Sequence, residues 1–152
     1  MAFDLFDVVV DACRVQGLDP QPVGGYDHVV VAEVDRGDRR WRLFAEADGA
    51  TPGVIVYSVL PYAVASTHRD EVAGFAVRVT YVLRYGDLEV DLDDGEVRVR
   101  TSVLVGAGPV ALDVVAELIE HNVAIAETVF PLVERVAVGE LSADEAFGVL
   151  AS

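Results

Sequence analysis

The sequence predicts an α+β fold, an antiparallel sheet of about five strands with flanking helices. Three observations predict it. Valine-rich segments of strand length follow one another across turn signals instead of alternating with helices, an Asp-Gly turn separates two alternating segments, and helical spacing dominates both ends of the chain. The 152 residues suit a single domain spanning 1–152, able to bury roughly two thirds of its unfolded surface.

Between Phe3 and Gly17, Phe3, Phe6, Val10 and Cys13 recur on one helical face, widened by Leu5, Val9 and Ala12. Asp4, Asp7, Asp11 and Arg14 fall on another, and Gly17 with Pro20 supplies the stop. Asp19 to Gly25 reads as a Pro/Gly-rich connection. Tyr26 to Asp35 and Arg39 to Ala47 then read as strands facing each other across Arg36-Gly37-Asp38, and Val54 to Leu60 as a third strand closed by Pro61.

The stretch from Ser66 to Tyr85 supports two readings. Phe75, Val77, Val79, Tyr81 and Leu83 alternate as in a strand, with the β-branched content to match. Thr67 and Asp70, however, have the spacing of a capping box, Val72, Phe75, Val79 and Val82 fit a helix face, and the length before Gly86 is ordinary for a helix.

Leu88 to Leu92 and Val97 to Thr101 flank Asp93-Asp94-Gly95-Glu96, a strong hairpin signal because the Asp-Gly pair tolerates positive φ. Pro109 opens a helical pattern that runs through Leu112, Val115, Leu118, Ile119, Val123 and Ala126 to Val136. Pro131 is expected to break or kink it near Phe130. Gly139 ends that segment, and Ser142 caps a short terminal helix with Glu145 at its third position.

Charge narrows the function. The 26 acids outnumber 11 bases, all arginine, for a net charge of -15. Such a field repels phosphate backbones and anionic lipid, so neither nucleic acid nor a membrane surface is an expected partner. No apolar run approaches the ~20 residues of a membrane span, and the start Met-Ala-Phe-Asp-Leu-Phe-Asp has acids where a signal peptide is positive. A cytoplasmic location is expected. Cys13 is the only cysteine, which excludes an intramolecular disulfide, and its apolar neighbours suit a buried structural role.

Motifs that could carry chemistry each have a plainer explanation. Gly106-Ala107-Gly108-Pro109-Val110-Ala111 matches a dinucleotide-binding turn, but that turn needs a parallel strand after its helix, and here the helix runs on. It reads as a tight strand-to-helix turn with Pro109 at the first helical position. Asp91-Leu92-Asp93-Asp94-Gly95-Glu96 has its glycine one place early for a calcium loop and Ser102 at the twelfth position. His28, His68 and His121 are dispersed, so no local metal face forms, and no nucleophile has an identifiable base. No cofactor or metal is expected. An enzyme would need His121 or His68 to converge with two carboxylates in a cleft. Arg39, Arg40 and Arg42 surround Trp41; the expectation is that Trp41 packs inward and the arginines pair with acids such as Asp35, Asp38 or Glu46.

The run Thr80-Tyr81-Val82-Leu83-Arg84-Tyr85-Gly86-Asp87-Leu88-Glu89-Val90-Asp91-Leu92-Asp93-Asp94-Gly95-Glu96-Val97-Arg98 resembles the YbjN domain family in its helix end, glycine, strand, acidic turn and returning strand. Phe130-Pro131, Gly139 and Leu141-Ser142-Ala143-Asp144-Glu145-Ala146 are similar to that family's closing helices. The likeness covers roughly residues 6 to 147, with Thr80 standing where many members have asparagine. The family is described as bacterial sensory-transduction regulators, with a fold like the class I chaperones of type III secretion. The resemblance implies that Ser66 to Tyr85 is a helix with Gly86 as its left-handed cap. The order becomes α-β-β-β-α-β-β-α-α, type III secretion chaperone-like.

The resemblance also implies small acidic dimers that bind segments of other proteins. The leading expectation is therefore a non-enzymatic protein-binding module, chaperone-like or regulatory, acting as a homodimer. On the Ser66–Tyr85 helix, Val72, Phe75, Val79 and Val82 would serve the core, leaving Ala76, Val77, Tyr81 and Tyr85 for a dimer or partner surface. The alternative is a small-molecule-sensing regulatory domain with a pocket between sheet and helices.

Overall fold

Helix α1 (Leu5–Val15) starts where the extended Asp4 accepts a hydrogen bond from the Phe6 N–H at 2.9 Å, satisfying one orphan donor of the first turn. The computed structural model describes residues 4–152, so Phe3, expected on the apolar face of this helix, lies outside the described residues. Val9, Ala12 and Cys13 are fully buried, Phe6 and Val10 half-buried, and Gly17 at φ +74° leaves the helix in the left-handed region.

The sheet has six strands, β1 (Gln21–Val23), β2 (Tyr26–Asp35), β3 (Arg40–Asp48), β4 (Gly53–Val59), β5 (Asp87–Val90) and β6 (Val97–Leu104). Their spatial order is β1-β2-β3-β4-β6-β5, with every neighbouring pair antiparallel. The class is α+β, as expected, but the sheet carries one strand more than the five expected. Gln21-Pro22-Val23, inside the stretch read as a connection, pairs back on β2. Pro22 has no N–H to donate, and an outermost strand is where that is tolerated.

Side chains alternate cleanly across the sheet. Val30 and Val34, Trp41, Leu43 and Ala45, Val54 and Val56, Val97 and Val99 share one buried cluster with α1, α2 (Arg69–Val82), α3 (Leu112–Ala137) and α4 (Ala143–Ala151). The opposite face carries the register row Val31, Phe44, Tyr57, Arg100, Asp87 and, beside it, Glu33, Arg42, Val59, Arg98, Glu89. Among the described residues the core cluster shared with the helices does not extend to that second face, where Arg98 lies 4.3 Å over the Tyr57 ring and pairs with Glu89 at 2.9 Å.

The segment with two readings is a helix, shorter than Ser66–Tyr85. Its N-cap is His68 and makes no side-chain bond, so the Thr67–Asp70 capping box does not form. Val72, Phe75, Ala76 and Val79 are the buried stripe. Val82 falls outside it and is exposed, because the stripe at positions i, i+3, i+4 and i+7 has rotated past it by the last turn. Gly86 is not a left-handed cap: Leu83 leaves the helix in extended conformation, and positive φ among the glycines occurs only at Gly17, Gly25, Gly37, Gly95, Gly106 and Gly139. Gly86 is needed for space, since a Cβ there would lie 2.7 Å from Ile125 Cδ1 and 3.2 Å from the Arg100 carbonyl oxygen.

In the β5–β6 turn only Gly95 takes positive φ, +84°, and Arg69 holds the turn from outside. Its guanidinium donates to the carbonyls of Val64 at 2.9 Å, Asp93 at 3.0 Å and Asp94 at 3.1 Å. Helix α3 begins at Leu112 with Ala111 as N-cap, so Pro109 stays in the preceding loop, and the helix continues through Pro131 instead of stopping at Phe130. Ser142 caps α4 as expected, accepting from the Glu145 N–H at 3.1 Å. Helix α4 lies on α2 through the Arg78–Asp144 ion pair and the Arg78 guanidinium 4.2 Å over the Phe147 ring.

Candidate functional site

The residues singled out for a docking surface divide between two grooves. Ala76 is buried in the core, at 4% exposure, whereas Val77 at 70% and Tyr81 at 90% stand outside on the next turns of α2. These three, with Ala73, Thr80, Leu88, Val90 and Leu92, line a largely apolar groove of about 500 Å³ between α2 and β5. Tyr85 is exposed but belongs elsewhere. It follows α2, and its ring meets His121 edge-on with centroids 6.1 Å apart.

Tyr85 and His121 sit in a second, larger groove of about 830 Å³ between the end of β6 and α3. One wall is the α2–β5 link from Leu83 to Asp87, the floor is Arg100, Ser102 and Val103 of β6, and the far wall is α3. Val114, Glu117, Leu118, His121 and Ala124 recur on that wall at three- and four-residue spacing, the signature of one helix face. Arg100 reaches Asp87 at 3.4 Å and Glu89 at 3.2 Å. Among the described residues, Glu117, Glu120 and Arg84 make no ion pair. His121 thus shares a cleft with Asp87, Glu117 and Glu120, yet no hydrogen bond among the described residues joins it to any of them. No group of three His, Cys, Asp or Glu side chains among these residues is arranged to hold a metal.

The other motifs resolve into structure. His68 lies beside Gly139, and His28 meets Phe6 edge-on at 5.8 Å. The Gly106-Ala107-Gly108 segment is a loop in which Gly106 has φ +68°, and the helix after it is followed by α4 instead of a strand. Trp41 is buried as expected, and Arg40 pairs with Asp35 at 3.2 Å. Arg39 departs from the sequence expectation by pairing with Glu134, 95 residues away on α3, at 2.9 Å. Burial, and secondarily the charge of Glu134, push the Tyr62 phenol up from its ordinary value. Cys13 is sealed in the core, and burial raises its thiol to about 11.

A buried polar network escaped the sequence reading. Trp41 Nε1 donates to Ser58 Oγ at 2.9 Å, and Ser58 Oγ donates to Asn122 Oδ1 at 2.6 Å. Asn122 Nδ2 lies within hydrogen-bond distance of the Val56 and Val99 carbonyls and Thr101 Oγ1. Every polar atom of the asparagine is thereby satisfied without water, which fits a brace between sheet and α3.

Comparison with family models, with curated proteins and with solved structures finds no match to this chain.

Proposed function

We propose that this chain is a non-enzymatic protein-binding module, chaperone-like or regulatory, working in the cytoplasm as a small acidic homodimer. The observation that carries the reading is Tyr81. Its ring is 90% exposed on the outer turn of α2, next to Val77 and above the apolar α2–β5 groove, while the other side of the same helix fills the core. Such surface adds nothing to the chain's own packing, and covering it is favourable by about 25 cal/mol per Å² of apolar area. The YbjN-like run from Thr80 to Arg98 passes through this region, and the α+β order of the chain differs from the expected one by the added β1.

Light scattering at tens of micromolar tests the dimer. The wild type is expected at twice the chain mass with a melting temperature that rises with concentration, and Val77→Glu with Tyr81→Glu at the monomer mass with an unchanged far-ultraviolet circular dichroism spectrum. A monomeric wild type at that concentration would sink the dimer.

A second reading, a small-molecule-sensing regulatory domain, is favoured by the β6–α3 groove, whose volume is of ligand size and whose walls mix Arg84, Glu117 and His121 with Leu83, Val103 and Leu118. Thermal stabilisation by one member of a metabolite panel, lost in His121→Leu, is its expected signature.

A further inference from the structure

We propose that the groove between β6 and α3 takes up an extended, basic segment of another protein, which joins the sheet as an extra strand where β5 stops short. The inference rests on the protein-binding reading and adds the place, conformation and charge of what is bound.

The lengths of the two strands create the opening. β5 covers β6 only from Val97 to Arg100. Thr101, Ser102, Val103 and Leu104 pair with Val56, Ile55, Val54 and Gly53 of β4 on one side, and no strand among the described residues lies on the other. In an antiparallel ladder, residues turn their N–H and C=O alternately to either neighbour, so about half of these backbone groups point into the groove. Among the described residues no backbone hydrogen bond outside the sheet ladder reaches the Ser102 or Leu104 backbone. Past Leu104 the chain turns towards β4, where the Val105 N–H donates to the Pro52 carbonyl at 3.0 Å.

The other sheet edges carry the usual protection against strand addition. The β1 edge has Pro22, and β5 is a four-residue strand bearing Asp87 and Glu89. Ser102 and Leu104 are exposed and uncharged, so this reach of β6 is undefended. The helix face of Val114, Leu118 and His121 opposite it forms a slot between strand edge and helix, suited to a strand whose alternate side chains turn inward.

Charge selects the occupant. Glu117 and Glu120 line the α3 wall without a cation among the described residues, Asp87 adds a third carboxylate, and the whole chain carries -15. Against them stand Arg100, already shared by Asp87 and Glu89, and Arg84, which makes no ion pair among the described residues. A second copy would bring the same glutamates and the same net charge against this wall. A basic segment is attracted both by the local wall and by the long-range field.

The test is fluorescence anisotropy on the full chain with a labelled peptide of alternating lysine and valine. Three controls accompany it: a glutamate–valine peptide, the lysine–valine peptide N-methylated at alternate residues, and backbone amide shifts of Thr101–Val105 followed by NMR. The basic peptide is expected to bind and to move those amides, and N-methylation, which removes ladder donors without touching charge, to abolish binding. Glu117→Arg with Glu120→Arg should weaken binding by about tenfold or more, and Arg84→Glu should tighten it. Equal binding of the N-methylated peptide, preference for the acidic peptide, shifts confined to the α2–β5 groove, or no binding would each overturn the proposal. Light scattering on the same samples keeps the readings apart. A dimer that binds no basic peptide overturns this inference alone, and a monomer that binds it overturns only the dimer.

Discussion

A single hydroxyl on α2 holds both backbone groups of one residue on β5: Thr80 Oγ1 accepts from the Leu88 N–H at 2.9 Å and donates to the Leu88 carbonyl at 3.1 Å. This cross-link stands where the helix leaves the groove wall and the edge strand begins, so it fixes the distance between α2 and β5. Thr80→Val keeps the shape and removes both bonds, leaving two part-buried backbone groups unpaired. A loss of about 1–3 kcal/mol by urea unfolding is expected, with faster amide exchange at Leu88. A carboxamide offers one donor and one acceptor side by side, so Thr80→Asn should recover most of the loss. If Thr80→Val and Thr80→Asn were equally stable, the paired bonds would not be what holds β5.

Asn122 carries the densest set of buried polar contacts, joining Ser58, Thr101 and the carbonyls of Val56 and Val99 to α3. Asn122→Leu fits the volume but removes the acceptor of the Ser58 hydroxyl and the amide that donates to those carbonyls and to Thr101 Oγ1, which keeps its bond to the Leu118 carbonyl, and the expected cost is about 3 kcal/mol or more. Ser58→Ala removes one arm, including the acceptor of the Trp41 indole N–H, and should cost less. In the double mutant Ser58→Ala with Asn122→Leu, the effects should be clearly non-additive, because each deletion already strips the other of its partner. Strict additivity would show that the network does not act as a unit.

The hairpins and helices were legible where one local rule decides. Tyr26–Asp35 is a valine-rich run before a short Arg36-Gly37-Asp38 connection, Ser142 with Glu145 satisfies a cap three residues away, and Gly95 is the residue that tolerates the turn. What was not legible depends on partners distant in sequence. Gln21-Pro22-Val23 becomes a strand only because β2 is long enough to offer it an edge, and Pro131 remains helical within a helix packed along much of its length. Arg39 finds Glu134 and Ser58 finds Asn122 across separations that no spacing rule contains. The surface set was partly legible: periodicity identified Val77 and Tyr81 as surplus to the core, but exchanged Ala76 for Val82 and could not show that Tyr85 enters a different groove.

The two glycines flanking β5 should fail for different reasons. At Gly86 the backbone is ordinary and the obstacle is Ile125, a flexible side-chain tip, so Gly86→Ala should cost about 1–3 kcal/mol and the larger Gly86→Asn more. A left-handed position would reverse that order, since asparagine tolerates it better than alanine. At Gly95 positive φ combines with the Val64 carbonyl oxygen 2.2 Å from an added Cβ, so both alanine and asparagine should be more damaging there. Melting temperatures of the four variants decide it, and Gly86→Asn above Gly86→Ala would contradict the packing explanation.

Cys13 gives the fold a dependence on alkaline pH. Burial raises its thiol from 9.0 to about 11, the nearby Arg14 charge only partly opposing the shift. The unfolded chain therefore releases this proton first as pH climbs. Below about pH 9 the thiol is protonated in both states and its contribution is constant; between about 9 and 11 the unfolded state binds fewer protons, and stability falls with rising pH. The comparison that isolates the thiol is wild type against Cys13→Ala. Urea midpoints of the two should run parallel up to about pH 8.5 and then converge or cross as the wild type declines more steeply. A native thiol this poorly ionised should also react with a disulfide reagent at pH 8 far more slowly than in urea-unfolded protein. Parallel midpoints throughout, together with equal reaction rates in the folded and unfolded chains, would show that Cys13 is open to water and not part of the core.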